Sequence, residues 1–393
     1  MSAHTLLFTL LYALLIKCDT FPVSDCPCKE PALCQPVQNK TEHEVFVFDV
    51  GGKAWNQYDW SKVTTIATFG PYDAELMCYA HSKGVRLVMT GGVSVKDIVD
   101  PTNRTTWIKE QVIWAKMHFL DGINLDIEQS IKEESPEYFA LTALVNETTA
   151  AFHREIPGSQ VSFDVPFSPI CGGRHYDYKA IADACDLLFV MSYDMHWGIV
   201  AGPNSPFNKT LTGYEQYINK NIHPKKLVMG VPWYGYDYPC LNFTQAGVCI
   251  IKAGPSVEWQ RCYSVMMKQV NSSMSGRIWD KKYLAPYYNY KAAGGQVHQV
   301  WYDDPQSISL KAAYVTKLGL RGIGMWQADC LDYSDNPVAQ QQTKDMWDAL
   351  VVARDTVSSG VALEGRGMFR QQEDVFCPEH YEQKRHPPSL FRP

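Results

Sequence analysis

Short runs of β-branched and other apolar residues recur along the chain, and longer segments with helical spacing separate most of them. The eight runs lie at residues 44–50, 63–70, 85–92, 122–128, 160–166, 187–194, 226–232 and 322–328. Helical spacing is clearest at 134–154, where Ser135 and Glu137 stand near the start and an apolar stripe follows. Further helices are predicted at 104–119 and 212–222. The pattern therefore predicts strands that alternate with helices.

Alternating strands and helices indicate a parallel sheet, because each helix carries the chain back to the start of the next strand. Eight such strands can close into a (β/α)8 TIM barrel of the α/β class, which leaves no unpaired edge. A doubly wound open sheet is the alternative. No G-x-G-x-x-G motif opens the first strand-to-helix turn, so we expect no dinucleotide site. We predict no cofactor.

The interval between the seventh and eighth runs, residues 233–321, is long for a single crossover. It contains APYYNYKAAGGQVHQVWYDD, in which two aromatic segments flank Gly294 and Gly295, a pattern that predicts a β-hairpin. We expect an insertion on the face of the barrel where active sites form, followed by a helix at 304–320 that leads into the last strand.

The two ends of the chain differ in composition from the middle. Leu6 to Ile16 is an apolar run of 11 residues, too short to span a bilayer and typical of a secretory signal. We predict a signal peptide over about residues 1–25, with an uncleaved anchor as the alternative. The barrel domain is expected over 26–355. Residues 356–393 are polar and weakly periodic, and we expect a disordered or loosely attached tail.

Cysteine usage and glycosylation sequons both favour the secretory route. Of 12 cysteines, Cys18 falls in the predicted signal and Cys377 in the tail, which leaves ten for up to five disulfides of unknown pairing. A zinc site at Cys26, Cys28 and Cys34 is the alternative, but no second ligand pair has the right spacing. Six N-x-S/T sequons predict N-glycosylation at Asn39, Asn103, Asn146, Asn208, Asn242 and Asn271.

The stretch DGINLDIEQ, residues 121–129, sets acidic residues inside the fourth apolar run. Residues two apart on a strand share a side, so Asn124, Asp126 and Glu128 face the barrel axis while Ile123, Leu125 and Ile127 face the helices. Glu128 then stands at the carboxyl end, where barrel active sites form.

Adjacent carboxylates resist double ionisation, so we expect Asp126 to keep Glu128 protonated and able to act as a general acid. Two alternatives remain open for these acids. They could form a buried polar network that only fixes the strand. They could also bind Mg²⁺ or Ca²⁺, although no further carboxylate cluster is evident and we predict no metal.

These residues resemble the signature of the family 18 glycoside hydrolases, the chitinase family, D-G-x-D-x-D-x-E. Asp121, Gly122, Asp126 and Glu128 match it, and Asn124 stands where the family usually has Asp. Further similar segments are VMTGG at 88–92, MSYDM at 191–195, KLVMGVPWYGYDY at 226–238 and GIGMWQAD at 322–329. The resemblance covers roughly residues 44 to 350.

The resemblance implies substrate-assisted retaining hydrolysis, in which the acetamido oxygen of the sugar attacks C1 and no protein nucleophile is needed. It assigns Glu128 as the acid and later the base, Asp126 as the partner of the acetamido N–H, and Tyr193 as a hydroxyl donor to the acetamido carbonyl. Ordinary strand-end residues are the alternative for Tyr193 and its neighbour Asp194.

The remaining implied contacts bind the sugar. Trp326 is expected to form the apolar floor of the site, while Met191, Asp194 and Asn124 line the same subsite. Plain core packing is the alternative for Trp326. Trp233, Tyr234 and Tyr236 are either sugar platforms or structural residues, and the sequence does not choose between these roles.

Within the family the closest likeness is to the lysosomal chitobiase-type subgroup, in which Asn at position 124 is usual. This implies a lysosomal enzyme that hydrolyses the β-1,4 bond of the N,N'-diacetylchitobiose core of free asparagine-linked glycans and releases the reducing-end N-acetylglucosamine. A secreted endo-chitinase and a non-catalytic lectin are the alternatives. The net charge of −6 argues against nucleic acid, and we expect no membrane contact after signal cleavage. The oligomeric state stays open.

Overall fold

The computed structural model describes residues 28, 30–38, 41–252 and 257–351. The predicted signal peptide at 1–25 and the predicted tail at 356–393 lie outside the described residues, so both remain predictions.

The eight apolar runs form the eight strands of a closed parallel barrel. The strands are β1 Glu44–Asp49, β2 Thr65–Thr68, β3 Arg86–Gly91, β4 Gly122–Leu125, β5 Gln160–Pro166, β6 Leu187–Met191, β7 Leu227–Pro232 and, after the insertion, β15 Gly322–Trp326. Their order around the barrel is β1-β15-β7-β6-β5-β4-β3-β2. The TIM-barrel prediction is confirmed, and the open doubly wound sheet is excluded.

Helices separate most of the barrel strands, and they include the predicted helices at 104–119, 134–154, 212–222 and 304–320. They are α1 Ala74–Ser82, α2 Pro101–Met117, α3 Pro136–Glu155, α4 Tyr178–Ala184, α5 Phe207–Asn219, α6 Tyr263–Val270, α7 Pro305–Leu318 and α8 Pro337–Asp348. Ser135 caps α3 by accepting a hydrogen bond from the backbone N–H of Tyr138, and Pro136 opens the helix. Across the described ranges, no helix combines the length and apolar character that crossing a bilayer requires.

Aromatic rings fill the middle of the barrel. Phe46 and Phe48 project inward from β1, and the rings of Phe48 and Phe189 meet edge to face at 4.7 Å between centroids. The facing strands carry glycines at this level. A Cβ at Gly230 would lie 2.5 Å from the Phe189 ring, and one at Gly324 would lie 2.8 Å from it. The glycines therefore make room for an aromatic layer on which the polar mouth of the barrel rests.

The interval between β7 and β15 folds as a separate antiparallel sheet. Its strands are β8 Tyr234–Pro239, β11 Gln260–Cys262, β12 Ile278–Asp280, β13 Ala285–Lys291 and β14 Val297–Trp301, in the order β11-β8-β14-β13-β12, beside a small ribbon of β9 Asn242–Phe243 and β10 Cys249–Ile250. β13 and β14 form the predicted hairpin. Only Trp233 separates β7 from β8, so the insertion begins at the carboxyl-end rim of the barrel, as expected.

Several strands end earlier than the apolar runs suggest. β4 ends at Leu125 rather than at residue 128, β6 at Met191 rather than 194, and β15 at Trp326 rather than 328. The backbone N–H of Asp126 still donates to the Gly91 carbonyl at 3.0 Å, but β3 ends there and offers no further partner. Asp126, Glu128, Tyr193 and Asp194 therefore lie in the loops that leave the sheet.

The cysteines pair in a pattern that the sequence alone does not determine. Cys28–Cys34, Cys240–Cys249 and Cys262–Cys330 are disulfides, and Cys171 is also disulfide-bonded. The zinc alternative is wrong, because Cys28 and Cys34 are bonded to each other. Cys185 is a buried free thiol, so the upper limit of five disulfides is not reached.

The sequon asparagines differ in their exposure. Asn103, Asn146, Asn242 and Asn271 are exposed, and Asn208 is half-buried. Asn39 lies outside the described residues. The four exposed side chains leave room for a glycan, and glycosylation itself remains a prediction at all six positions.

Candidate active site

The inward side of β4 is polar, as the alternation predicts. Asn124 is fully buried, and its side-chain NH₂ donates to Ser162 Oγ at 3.0 Å and to Asp164 Oδ1 at 2.7 Å, both on β5. Ile123, Leu125 and Ile127 are buried on the other side of the strand. Asp126 and Glu128 therefore follow Asn124 at the carboxyl-end mouth of the barrel.

Asp121, the first acid of the signature, stands at the opposite end of β4 and is fully buried. Its carboxylate accepts hydrogen bonds from the backbone N–H groups of Val37 and Leu87, both at 2.7 Å, and contacts His81 Nε2 at 2.8 Å. Asp121 thus fixes the base of the barrel and takes no part in the mouth.

Glu128 forms an ion pair that sequence reasoning missed. Arg174 Nη2 donates to Glu128 Oε2 at 2.5 Å, and the Arg174 side chain is only 6% exposed. Arg174 lies in the loop after β5, where the Tyr178 hydroxyl donates to its backbone carbonyl at 2.6 Å. No local sequence signal marks Arg174, because its partner lies 46 residues away.

The electrostatic setting of Asp126 differs from that of an ordinary carboxyl. Burial, and then the negative charge of Glu128, raise the pKa of Asp126 to about 8, against the opposing charge of Arg174. Asp126 Oδ1 is buried without a hydrogen-bond partner among the described residues. The expectation that Asp126 keeps Glu128 protonated stays a prediction: in the structure Asp126 carries the raised pKa, and Glu128 pairs with a guanidinium.

Asp164 is a second residue that sequence reasoning missed. It is 3% exposed on β5, and burial together with the charge of Asp126 raises its pKa well above the usual value. The signal was available in QVSFDVP, where an acid interrupts an apolar strand on the same side as Ser162. Its partners, however, are set by the pairing of β4 with β5.

Tyr193 and Asp194 follow β6 at the same rim. The Tyr193 ring meets the Tyr234 ring edge to face at 6.0 Å. Burial and the nearby acids, Asp164 first, raise the pKa of Tyr193 well above the usual value, so its hydroxyl keeps its proton and can donate. Asp194 is buried, adopts φ of 60°, and its N–H donates to Asn204 Oδ1 at 2.6 Å.

The tyrosines of β8 hold Asp194 in place. The Tyr234 hydroxyl donates to Asp194 Oδ1 at 2.7 Å, and the Tyr236 hydroxyl donates to the same oxygen. Both tyrosines are buried, as is Trp233, whose ring packs edge to face on Trp347 at 5.0 Å. The geometry supports the structural role for these three residues rather than a sugar platform.

Trp326 and Met191 are half-buried at the ends of β15 and β6. The Trp326 ring contacts Phe48 at 5.3 Å and Phe69 at 5.0 Å between centroids. It therefore packs on the aromatic layer inside the barrel and keeps part of its surface accessible, the disposition that an apolar floor requires. Within the residues that the structure describes, no three His, Cys, Asp or Glu side chains are grouped to hold a metal ion.

Comparison with known proteins places this geometry in a family. Residues 37–330 match the family described as "Glycosyl hydrolases family 18". The chain is 58% identical to the di-N-acetylchitobiase of Homo sapiens over 340 residues, which cover 83% of this chain and 88% of that relative. It is 35% identical to the "Probable di-N-acetylchitobiase 2" of Dictyostelium discoideum over 352 residues, covering 83% and 90%.

Solved structures with the same fold include several chitinases. The GH18 chitinase of Cycas revoluta in complex with (GlcNAc)4 superposes with a TM-score of 0.66 at 19% identity, covering 78% of this chain and 99% of that one. The Group IV chitinase of Ostrinia furnacalis gives 0.67 at 16% identity, covering 78% and 98%. These likenesses concern the fold. With the family match over most of the barrel and the identity to full-length relatives, they lead to one conclusion: the chain belongs to glycosyl hydrolase family 18 and is a glycosidase.

Proposed function

We propose that this glycosidase hydrolyses the β-1,4 bond of the N,N'-diacetylchitobiose core of free asparagine-linked glycans and releases the reducing-end N-acetylglucosamine. The full-length relatives at 58% identity are named di-N-acetylchitobiase, which supports this substrate. The observation that carries the proposal is the arrangement of Asp126 and Glu128. They project from successive inward positions of one chain segment, so they lie on the same side of a sugar bound across the mouth.

Two acids on one side of the sugar cannot act as nucleophile and general acid, because the nucleophile must attack from the face opposite the leaving group. The substrate then has to supply its own nucleophile. In the proposed reaction the 2-acetamido carbonyl oxygen attacks C1 while Glu128 protonates the departing glycosidic oxygen. The product of this step is an oxazolinium ion, and the leaving group is the reducing-end sugar.

The proton that Glu128 donates comes from Asp126 in this proposal. Asp126 carries the raised pKa and the unpartnered Oδ1, so it passes its proton to Glu128 when the substrate binds. The resulting Asp126 carboxylate accepts a hydrogen bond from the acetamido N–H and stabilises the oxazolinium charge. The Tyr193 hydroxyl donates to the acetamido carbonyl and orients it for attack.

The second step consumes water. Glu128, now ionised, removes a proton from a water molecule that attacks C1, which opens the oxazolinium ring with net retention. Trp326 supports the distorted ring from below, and Met191 lies on the same rim. Asp194 and Asn124 support this subsite: the first is held by Tyr234 and Tyr236, and the second by Asp164.

We also propose that the enzyme works in the lysosome. The apolar run at Leu6–Ile16, the disulfides and the four exposed sequon asparagines support entry into the secretory route. Fractionation of cells that express the full chain, with a lysosomal marker, tests this location. Recovery of the protein only in the medium would contradict it.

The test of the function is the Glu128→Gln variant on a free glycan with an intact chitobiose end, at acidic pH. We expect turnover to fall by ~10² or more, because Gln cannot donate the proton. The matched control is Glu133→Gln, an exposed residue of the same loop, which should keep full activity. Release of single N-acetylglucosamine supports the proposal. Undiminished turnover by Glu128→Gln, or internal cleavage of chitin polymer alone, would contradict it.

A further inference from the structure

The polar face of β4 lacks a carboxyl at the position where the family signature usually has one. Asn124 stands there, fully buried, and an amide cannot change its charge with pH. Its side-chain NH₂ donates to two residues of β5, and one of them is Ser162, at 3.0 Å from Oγ. It also donates to Asp164 Oδ1 at 2.7 Å on the neighbouring strand.

Asp164 lies beside the catalytic acids because of the strand register. Leu125 pairs with Phe163, so the next positions of the two chains, Asp126 and Asp164, are neighbours on the inward side. Burial first, then the negative charge of Asp126 and more weakly that of Glu128, raise the pKa of Asp164, while the Asn124 hydrogen bond and Arg174 act in the opposite direction. From the loop after β6, Tyr193 also faces Asp164.

This set of charges does not balance when every group is ionised. If all three were ionised, Asp126, Glu128 and Asp164 would place three negative charges in a largely buried site. Arg174 compensates only one of them. Like charges on neighbouring buried positions are costly, which favours a set that keeps one proton. Asp126 and Asp164 are the two carboxyls that lack an ion-pair partner in the contacts above, and they share the inward side.

We propose that Asp164 is a positioning residue for this reaction: from β5 it supplies the inward carboxyl that position 124 lacks, and with Asp126 it forms a pair that retains one proton beneath Glu128. The inference rests on the proposed function, since Asp164 acts through Asp126 and Glu128 and does not touch the sugar. When the proton passes from Asp126 to Glu128, an O–H bond breaks on one carboxyl and forms on the other. The Asp164 charge then adds to the field that stabilises the oxazolinium ion.

The test is an exchange of the two residues. Asp164→Asn, Asn124→Asp and the double variant Asn124→Asp/Asp164→Asn are compared with wild type in the pH dependence of kcat. In Asp164→Asn, Asp126 loses its like-charged neighbour and gives up its proton at lower pH. We expect kcat to fall about tenfold and the basic limb of the profile to move to lower pH by about one unit.

The double exchange returns a carboxyl to the pair and keeps a donor–acceptor contact between positions 124 and 164. We expect it to bring the basic limb back toward the wild-type position. Asp186→Asn is the control. The Asp186 carboxylate also contacts β5, where it accepts from the Val161 N–H at 2.7 Å, but this contact lies at the amino end of the strand, away from Asp164. This control should not move the profile.

Two results would overturn the inference. One is an Asp164→Asn enzyme with an unmoved basic limb and kcat within twofold of wild type, while Glu128→Gln is inactive; the function would then stand without Asp164. If Asp164→Asn does not fold, Asn124→Asp decides, because an added carboxyl should move the basic limb to higher pH. An unmoved limb there would also refute the pair. Full activity of Glu128→Gln would instead refute the proposed function itself.

Discussion

At the scale of single residues, the contact between Arg174 and Glu128 decides how the acid is presented. The guanidinium is 6% exposed and its backbone is held by Tyr178, so it offers Glu128 a fixed partner. A fixed partner limits the rotamers of Glu128, and a carboxyl that is already oriented loses less entropy on reaching the glycosidic oxygen. Arg174 is thus expected to orient the proposed acid.

Replacement of Arg174 tests this role. We expect Arg174→Lys to lower kcat about tenfold with KM changed less than about threefold, because the charge remains but the planar fork is lost. Arg174→Met should lower kcat further and also reduce the free energy of unfolding, since it leaves Glu128 without its partner. Arg154→Met, an exposed arginine of α3, is the control. Equal kcat for wild type and Arg174→Met would contradict an orienting role.

At the scale of elements, the segment before β1 is fastened to the base of the barrel through α1 and β4. His81 of α1 contacts the Leu33 carbonyl through Nδ1 at 2.5 Å and Asp121 through Nε2 at 2.8 Å. Both partners accept hydrogen bonds, so only the doubly protonated ring can donate to both. Although burial alone lowers the pKa of His81, the hydrogen bond and charge of Asp121 and the Leu33 carbonyl raise it overall.

This raised pKa predicts a pH-dependent stability. The pKa of His81 is higher in the folded chain than its ordinary value of 6.5, so its contribution is complete below that value and is lost as pH rises through the folded pKa. We expect His81→Gln to lose about 1.5–3 kcal/mol of unfolding free energy at pH 5. The difference from wild type should shrink at pH 8. Urea unfolding at both pH values measures it, with His153→Gln in α3 as the exposed control.

A constant difference between wild type and His81→Gln at pH 5 and pH 8 would show that the ring acts by packing alone. The expected sign agrees with the proposed lysosomal location, because the raised pKa of His81 predicts that the segment before β1 is held more firmly at low pH.

At the scale of the whole molecule, the insertion is joined to the barrel at several points around the mouth. Tyr234 and Tyr236 hold Asp194, and the disulfide Cys262–Cys330 joins β11 to the loop after β15. This disulfide spans 68 residues of sequence, whereas Cys240–Cys249 spans 9 and lies within the insertion. The long bridge therefore restricts the unfolded chain more strongly.

Removal of each disulfide should show this difference. Loop-closure entropy predicts that Cys262→Ala/Cys330→Ala loses about 2 kcal/mol more unfolding free energy than Cys240→Ala/Cys249→Ala. We also expect only the first variant to raise KM, because it loosens the sheet that fixes Asp194. Chemical denaturation and steady-state kinetics measure the two effects. Equal losses of stability would contradict the entropic account.

Local patterns were enough to predict the barrel and the side of β4 that carries its acids. The alternation in GINLDIE places Asn124, Asp126 and Glu128 on one face whatever surrounds them, because successive side chains of a strand point in opposite directions. The strand ends were predicted too late. Where a strand stops depends on its neighbours, as the last ladder bond from Asp126 to Gly91 shows.

The sequence by itself determined the eight-stranded barrel, the hairpin of the insertion and the position of Asp126 and Glu128 at the carboxyl-end mouth, since each follows from the period of apolar residues and the length of segments. Only the tertiary structure decided the electrostatic setting of these acids. That depends on Arg174, 46 residues from Glu128, and on Asp164, 40 residues from Asn124. Burial and charge act through space, and their effect on a side chain is fixed only when the strands close and bring distant residues together.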